Sequence, residues 1–428
     1  MNSREKFLDT MNFNPKVTAN KWEFGFQGNT IKRWYNEGLP YRRYPRIPIR
    51  IINTTTSLYT TVWTNKWQNN KSLFEKIYNE SEGDINLPDG IPVVAGGLYW
   101  PTQGFPLERD ISDYFNFDKP QTIVNAEQFI YPHFEVKIIN DDKKFLDYID
   151  IDGVTRRYSK EEQFIPLGLD WPIKGWDSWL EFKEKHMGVC KIKDRLPENW
   201  SEFIEEYKNR DYPLAVGGYP NGLFGSLTHL IGYENLFMFY YDEPDLIKDI
   251  LNRLTEIWIA LWEEVMADVE IDMAHFWEDI SATKGSMISA STFKEFLSPY
   301  YKKLTSFLKS KGVNIILVDT DGNCSELIPL FLDSGVTGLY PMEVSAGMDV
   351  LAARKKYPDL QIMGGLPKLD IAYGKERIDK ILEPTKWLLS KGGYIPFADH
   401  LIPPEVSWKD YKYYREKLNN MIDKQGLV

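Results

Sequence analysis

The stretch ILVDTDGNC, Ile316 to Cys324, decides how the chain is read. An aliphatic run leads straight into two carboxylates one residue apart, then a glycine. The run is too short and too uniformly apolar for an exposed antiparallel strand, which would alternate. It reads as a buried strand with charge at its C-terminal end, and unpaired buried charge is expensive, so something uses it. Working outward, PLAVGG (213–218), MAHFW (273–277), GLYPME (338–343), LQIMGG (360–365) and GYIPFAD (393–399) read as strands of the same kind. Helical patterns fill 244–268, 291–311, 324–333, 348–356, 376–391 and 408–424. Near the start, KWEFGF (21–26) and NTIKRWYNEG (29–38) look like an opening strand and helix. Strand–helix alternation argues for a parallel sheet, and six or seven such units favour a closed (β/α)8 TIM barrel over an open sheet. No GxGxxG follows any strand, which weighs against a dinucleotide-binding fold.

Residues 40–200 behave differently. They hold many prolines, turn signals and alternating runs. The segment 134–159 resembles antiparallel strands around polar turns, with Asp152-Gly153 as a hairpin signal. We therefore expect one domain over 1–428, with an antiparallel β-containing insertion at 40–200.

The net charge of −11 makes nucleic acid an unsuitable partner. No apolar run approaches the roughly 20 residues that span a bilayer. Two cysteines, Cys190 and Cys324, exclude a disulfide scaffold and suit a reducing cytoplasm. Aromatics reach 14%, and amphipathic rings often line binding pockets.

In a (β/α)8 barrel, chemistry sits at the C-terminal strand ends. Those ends supply Trp22, Glu23 and Phe24; Tyr219 and Asn221; Trp277, Glu278 and Asp279; Asp319, Asp321 and Asn323; Glu343; Lys368; and Asp399 with His400. Asp319 and Asp321, at i and i+2, project to one side, so one pKa should rise unless a cation or donor intervenes. A hard-metal site, an acid/base pair or an anchor for a cationic group would each use them. Capping of the helix near Ser325 by Asp321 or Asn323 is the bland alternative. Glu278 is expected in the barrel mouth, or else in a salt bridge to a loop cation. His400 is expected as a base or ligand, or else as a hydrogen-bonded structural residue. His275, inside an apolar strand, reads as core, and His133, His186 and His229 show no partner in the sequence.

SREKFLDTM (3–11), KWEFGF, DGVTRRYS (152–159), FWEDISATKGSMIS (276–289), VDTDGN (318–323), GLYPMEVSAGMDV (338–350), MGGLPK (363–368) and GGYIPFADHLIPPEVSW (392–408) together resemble the uroporphyrinogen decarboxylase superfamily. The resemblance covers most of the chain and implies a TIM barrel. It also implies one of two chemistries. Decarboxylases of the superfamily work without cofactor and use an arginine-rich N-terminal loop. Here WEFGFQGNTIKRWY places an acid and aromatics there instead, leaving Arg33, Arg42 and Arg43 as candidate clamps. The related cobamide-dependent methyltransferases carry H-x-C-G-N and a later cysteine around zinc. Aligned on Gly322-Asn323, those ligands fall on Asp319 and Asp321, and the third falls near Asp399. The expectation is a methyltransferase that moves a methyl group between a small methylated compound and a corrinoid held by a partner protein. Asp319, Asp321, Glu278 and His400 would be catalytic, and Asp319, Asp321 and Asp399 would hold a divalent metal, zinc or a harder cation, if one is bound. Trp22, Glu23, Phe24, Tyr219, Asn221, Trp277, Asn323, Glu343 and Lys368 would touch substrate. A cofactor-free decarboxylase is the alternative, and homodimers are common in the resembled family.

Overall fold

The computed structural model describes residues 1–40, 94–96, 106–159 and 166–425. Seven parallel strands form the central sheet: β1 (Thr122–Ile123), β2 (Leu214–Gly217), β3 (Met273–Trp277), β4 (Ile316–Asp319), β5 (Gly338–Tyr340), β6 (Gln361–Met363) and β7 (Tyr394–Ile395). Each pairs with the next in parallel, so spatial order follows chain order. Segment 21–27 bridges the two free edges. On one side Lys21 O accepts from Asp118 N at 3.1 Å. On the other Ile402 N donates to Gly25 O at 2.9 Å, and Gln27 N donates to Ile402 O at 3.1 Å. That segment closes a TIM-like barrel.

Strand parity sorts the side chains. Ala215, Met273, Leu317, Met363 and Ile395 fill the interior, and Phe7 and Met11 of the N-terminal helix Ser3–Met11 pack with them. Their sequence neighbours Val216, Ala274, Phe276, Val318 and Ile362 face outward, under the helices. The longest of those helices, Pro244–Asp268, starts with proline at its first turn and buries Leu246, Ile247, Ile250, Leu254, Ile257, Leu261 and Val265. That spacing is one stripe of a 3.6-residue period. Trp258 and Trp262, also on this stripe, donate their indole N–H groups to Gln128 O and Oε1 at 2.8 and 2.9 Å.

The region 40–200 supplies more than an excursion. Its Thr122–Ile123 is a barrel strand. Lys137–Asp141, Phe145–Ile149, Thr155–Ser159 and Leu167–Asp170 form a separate four-stranded antiparallel sheet, with the expected tight turn at Asp152-Gly153. Both edge strands carry a register shift, beside Ile139 and beside Leu169. Such bulges twist an exposed edge away from further pairing. Among the described residues no helix is long and apolar enough to cross a membrane.

Candidate functional site

Five titratable residues meet at or just below the C-terminal rim of the barrel. Asp319 ends β4, in register with Trp277 on one side and Tyr340 on the other. Its Oδ2 lies 3.5 Å from Nε2 of His275, which is one inward position below Trp277. Asp321 Oδ2 lies 3.3 Å from His400 Nε2, and the Phe24 ring stacks on that imidazole at 5.0 Å. Asp279 completes the group, its Oδ1 accepting from Asp321 N at 3.3 Å. Asp279 sits at φ 42°, a left-handed conformation that a non-glycine residue adopts rarely.

Burial drives the electrostatics. The Asp319 carboxyl is pushed well above the ordinary range by loss of solvation, then by the Asp321 charge, with His400 opposing. Asp279 is raised in the same way, by burial first and then by Asp321 and Asp319. Burial pushes His275 down to about 3, so it is neutral. Two buried carboxyls with raised pKa values therefore stand beside Asp321 and His400, whose side chains are 38% and 32% exposed and reach solvent.

A second group ties the rim loops together. Glu343 Oε2 accepts from Gly322 N at 2.9 Å, and its Oε1 lies 3.8 Å from Lys368 Nζ. Asp399 accepts from Val344 N through Oδ2 at 2.9 Å and from Lys368 N through Oδ1 at 3.0 Å. Both Asp399 oxygens thus fasten the loops that follow β5 and β6. The metal set expected from the sequence is not assembled: Asp399 interacts with Val344, Lys368 and Glu343, whereas Asp319 faces His275, Asp321 and His400. Among the described residues no three His, Cys, Asp or Glu side chains are arranged to hold a metal ion.

Gly322 lets this geometry form. It has φ 79°, and a Cβ there would lie 2.3 Å from Ser281 O. Gly322→Ala is expected to lower stability by at least about 1–3 kcal/mol from backbone strain alone, read from the urea midpoint. Asn323→Ala, one residue on, loses a single exposed cap to Ser325 N and should cost less than about 1 kcal/mol.

Other expected site residues have structural employment. Glu278 points outward, buried against the helix Leu223–Ile231. Its Oε1 accepts from Leu223 N at 2.8 Å, and Oε2 from Phe224 N at 2.6 Å and Gly225 N at 2.9 Å. Tyr301 also donates to it, and burial raises its pKa to about 7. It is a helix cap, not a mouth acid. Glu23 is buried, accepting from Ala398 N at 2.7 Å and Tyr411 Oη at 3.1 Å, with Arg415 Nη1 at 3.7 Å. Trp22 packs on Phe7 and donates to Lys119 O at 3.1 Å. Asn221 donates its side-chain Nδ2 to Gly217 O at 3.4 Å, and its backbone carbonyl accepts from Trp277 N at 3.0 Å. Tyr219 and Trp277 do line the rim, edge to face at 4.6 Å. Tyr233, unnoticed in the sequence, lies near Asp279, and burial, then that carboxyl, raises its phenol pKa.

Of the candidate clamps, Arg33 donates to Glu37 and to Pro404 O, while Arg42 and Arg43 lie outside the described residues. A cavity of about 540 Å³ lies at the opposite barrel end, among Arg4, Glu270, Asp272 and Lys311. Its cations are already paired, Arg4 with Glu270 and Asp272 and Lys311 with Glu263.

The uroporphyrinogen decarboxylase family model matches residues 206–420, and the chain belongs to that family. Its members are enzymes, decarboxylases and methyltransferases among them. The chain is similar to a methyltransferase from Methanosarcina mazei, at 16% identity over 60% of this chain and 73% of that one, with a TM-score of 0.41. It is also similar to the 3-keto-D-glucoside 4-epimerase YcjR from E. coli, at 12% identity over 57% and 92% of the two chains, with a TM-score of 0.32.

Proposed function

We propose that this member of the uroporphyrinogen decarboxylase family is a methyltransferase, passing a methyl group from a small methylated compound to a corrinoid carried by a separate protein. One observation carries the reading: Asp319, buried and raised in pKa, stands with Asp279 beside solvent-reaching Asp321 and His400. When bound, a reduced corrinoid supplies the nucleophile that accepts the methyl carbon.

The chain's own work is proton management. The bond from the methyl carbon to its oxygen or nitrogen breaks, and the electron pair stays on that leaving atom. Asp319 delivers its proton there, a step worth roughly 10²–10⁴-fold for a placed general acid. The new Asp319 carboxylate faces neutral His275, while the charge on His400 offsets part of its cost. Asp321 and His400 return a proton from solvent. Phe24, Trp277 and Tyr219 form the apolar side of the mouth. Among the described residues the three-acid set is not assembled, and no residue role here is assigned to a metal.

A decarboxylase would use the same acid to protonate a carbanion, but it also needs a cation for the substrate carboxylate. Among the described rim residues, Lys368 lies near Glu343 and His400 lies against Asp321. The test incubates the purified protein with methyl ethers and methylated amines plus chemically reduced cobalamin, then assays for demethylated product. Product that depends on reduced cobalamin is expected. Inert mixtures alongside CO₂ release from carboxylated compounds would replace this reading with the decarboxylase.

A further inference from the structure

The inserted sheet touches the rim through a buried ionic chain. Arg156, on strand Thr155–Ser159, donates to Asp152 with both terminal nitrogens at 2.7 and 2.6 Å, and to Asp150 at 3.0 Å. Asp152 Oδ2 then faces His229 Nδ1 at 3.6 Å. His229 belongs to the barrel helix Leu223–Ile231, not to the insertion. Its ring lies 5.2 Å from Tyr219 and 5.3 Å from Trp277. Trp277 in turn is the register partner of Asp319. A side chain of the insertion is thus two contacts from Trp277, the strand neighbour of the acid that the proposed reaction uses.

We infer that Asp152 is a positioning residue, acting through His229 to fix Tyr219 and Trp277 as the aromatic wall of the mouth. A charged carboxylate facing Nδ1 selects one imidazole tautomer and one ring orientation. Arg156 keeps Asp152 ionised in a place where a lone carboxylate would not be. Burial and the Arg156 charge both hold His229 below its ordinary value, so it presents a neutral ring to the two aromatics. If the chain merely anchored the insertion, any buried pair would serve, and Trp277 would not respond to Asp152. The inference rests on the mouth being the reaction site.

The test labels the whole protein with fluorotryptophan and follows Trp277 by ¹⁹F NMR, its resonance assigned by Trp277→Phe. Trp34 and Trp408, which pack together at 5.4 Å elsewhere in the barrel wall, serve as references once assigned likewise. Asp152→Asn should displace the Trp277 resonance and leave both references in place. The same change made in a His229→Gln background should add no further displacement. Asp147→Asn breaks an ion pair of the same sheet, with Arg157, and should leave Trp277 unmoved. If Asp152→Asn fails to fold, Asp152→Glu moves the carboxylate by one methylene and is read identically. A stationary Trp277 in a folded variant overturns the inference, and so does a change that shifts both references equally. Because the spectrum needs no turnover, it can fail while methyl transfer is observed, and succeed while it is not.

Discussion

Asp319→Asn should slow methyl transfer by roughly 10²–10⁴-fold while leaving the fold intact, because it removes the acidic proton but keeps the shape. The same change should make the protein more stable at neutral and higher pH. The sign follows from linkage. The folded-state pKa of Asp319 is raised, by burial first and then by Asp321. Above the ordinary aspartate range the native state therefore holds a proton that the unfolded chain has released. Stability falls as pH rises through that window, with a slope of up to about 1.4 kcal/mol per pH unit for this one group. Asparagine cannot titrate, so the variant lacks that slope. Urea unfolding of both proteins from about pH 5 to about pH 8 should show curves that diverge upward in favour of the variant. Parallel curves would mean that Asp319 is an ordinary carboxylate. Stability gained as activity is lost is a common signature of residues held for chemistry.

Glu278→Ala should do the opposite, weakening the protein by about 3–5 kcal/mol without a matching loss of turnover per folded molecule. The alanine would abandon three backbone N–H groups at the start of helix Leu223–Ile231 and the Tyr301 hydroxyl, all buried. Glu278→Gln keeps one acceptor oxygen and should lose less. Unfolding midpoints, with rates scaled to the folded fraction, separate the two roles. A large fall in rate in a well-folded Glu278→Gln protein would return Glu278 to the catalytic set.

Much of this molecule was legible from apolar runs alone. All six runs read as strands between 213 and 399 contain barrel strands, because a strand buried on both faces has a distinctive composition. Thr122–Ile123 was not legible: two residues are too few to carry a pattern. The Leu223–Ile231 helix hid because nearly every residue in it is buried, which erases the amphipathic stripe. At the rim, the i and i+2 spacing brings Asp319 and Asp321 to one side. Met273 points inward and Phe276 outward; beyond the strand end Glu278 turns to cap helix Leu223–Ile231, and Asp279, at φ 42°, reaches Asp321 N. The left-handed turn at Asp279, which no alternation pattern encodes, separates the helix cap from the site acid. Asp399 and Glu23 show the converse limit. Strand-end position placed them near the mouth, but only coordinates reveal that backbone N–H groups already occupy their oxygens.

At working pH Asp319 is expected to be a neutral carboxylic acid, held so by burial among converging acids. Infrared difference spectroscopy at neutral pH, wild type minus Asp319→Asn, tests it without any substrate. A protonated-carboxyl carbonyl band present in the wild type and missing from the variant is the predicted result. A difference spectrum that shows only the loss of ionised carboxylate bands would contradict it.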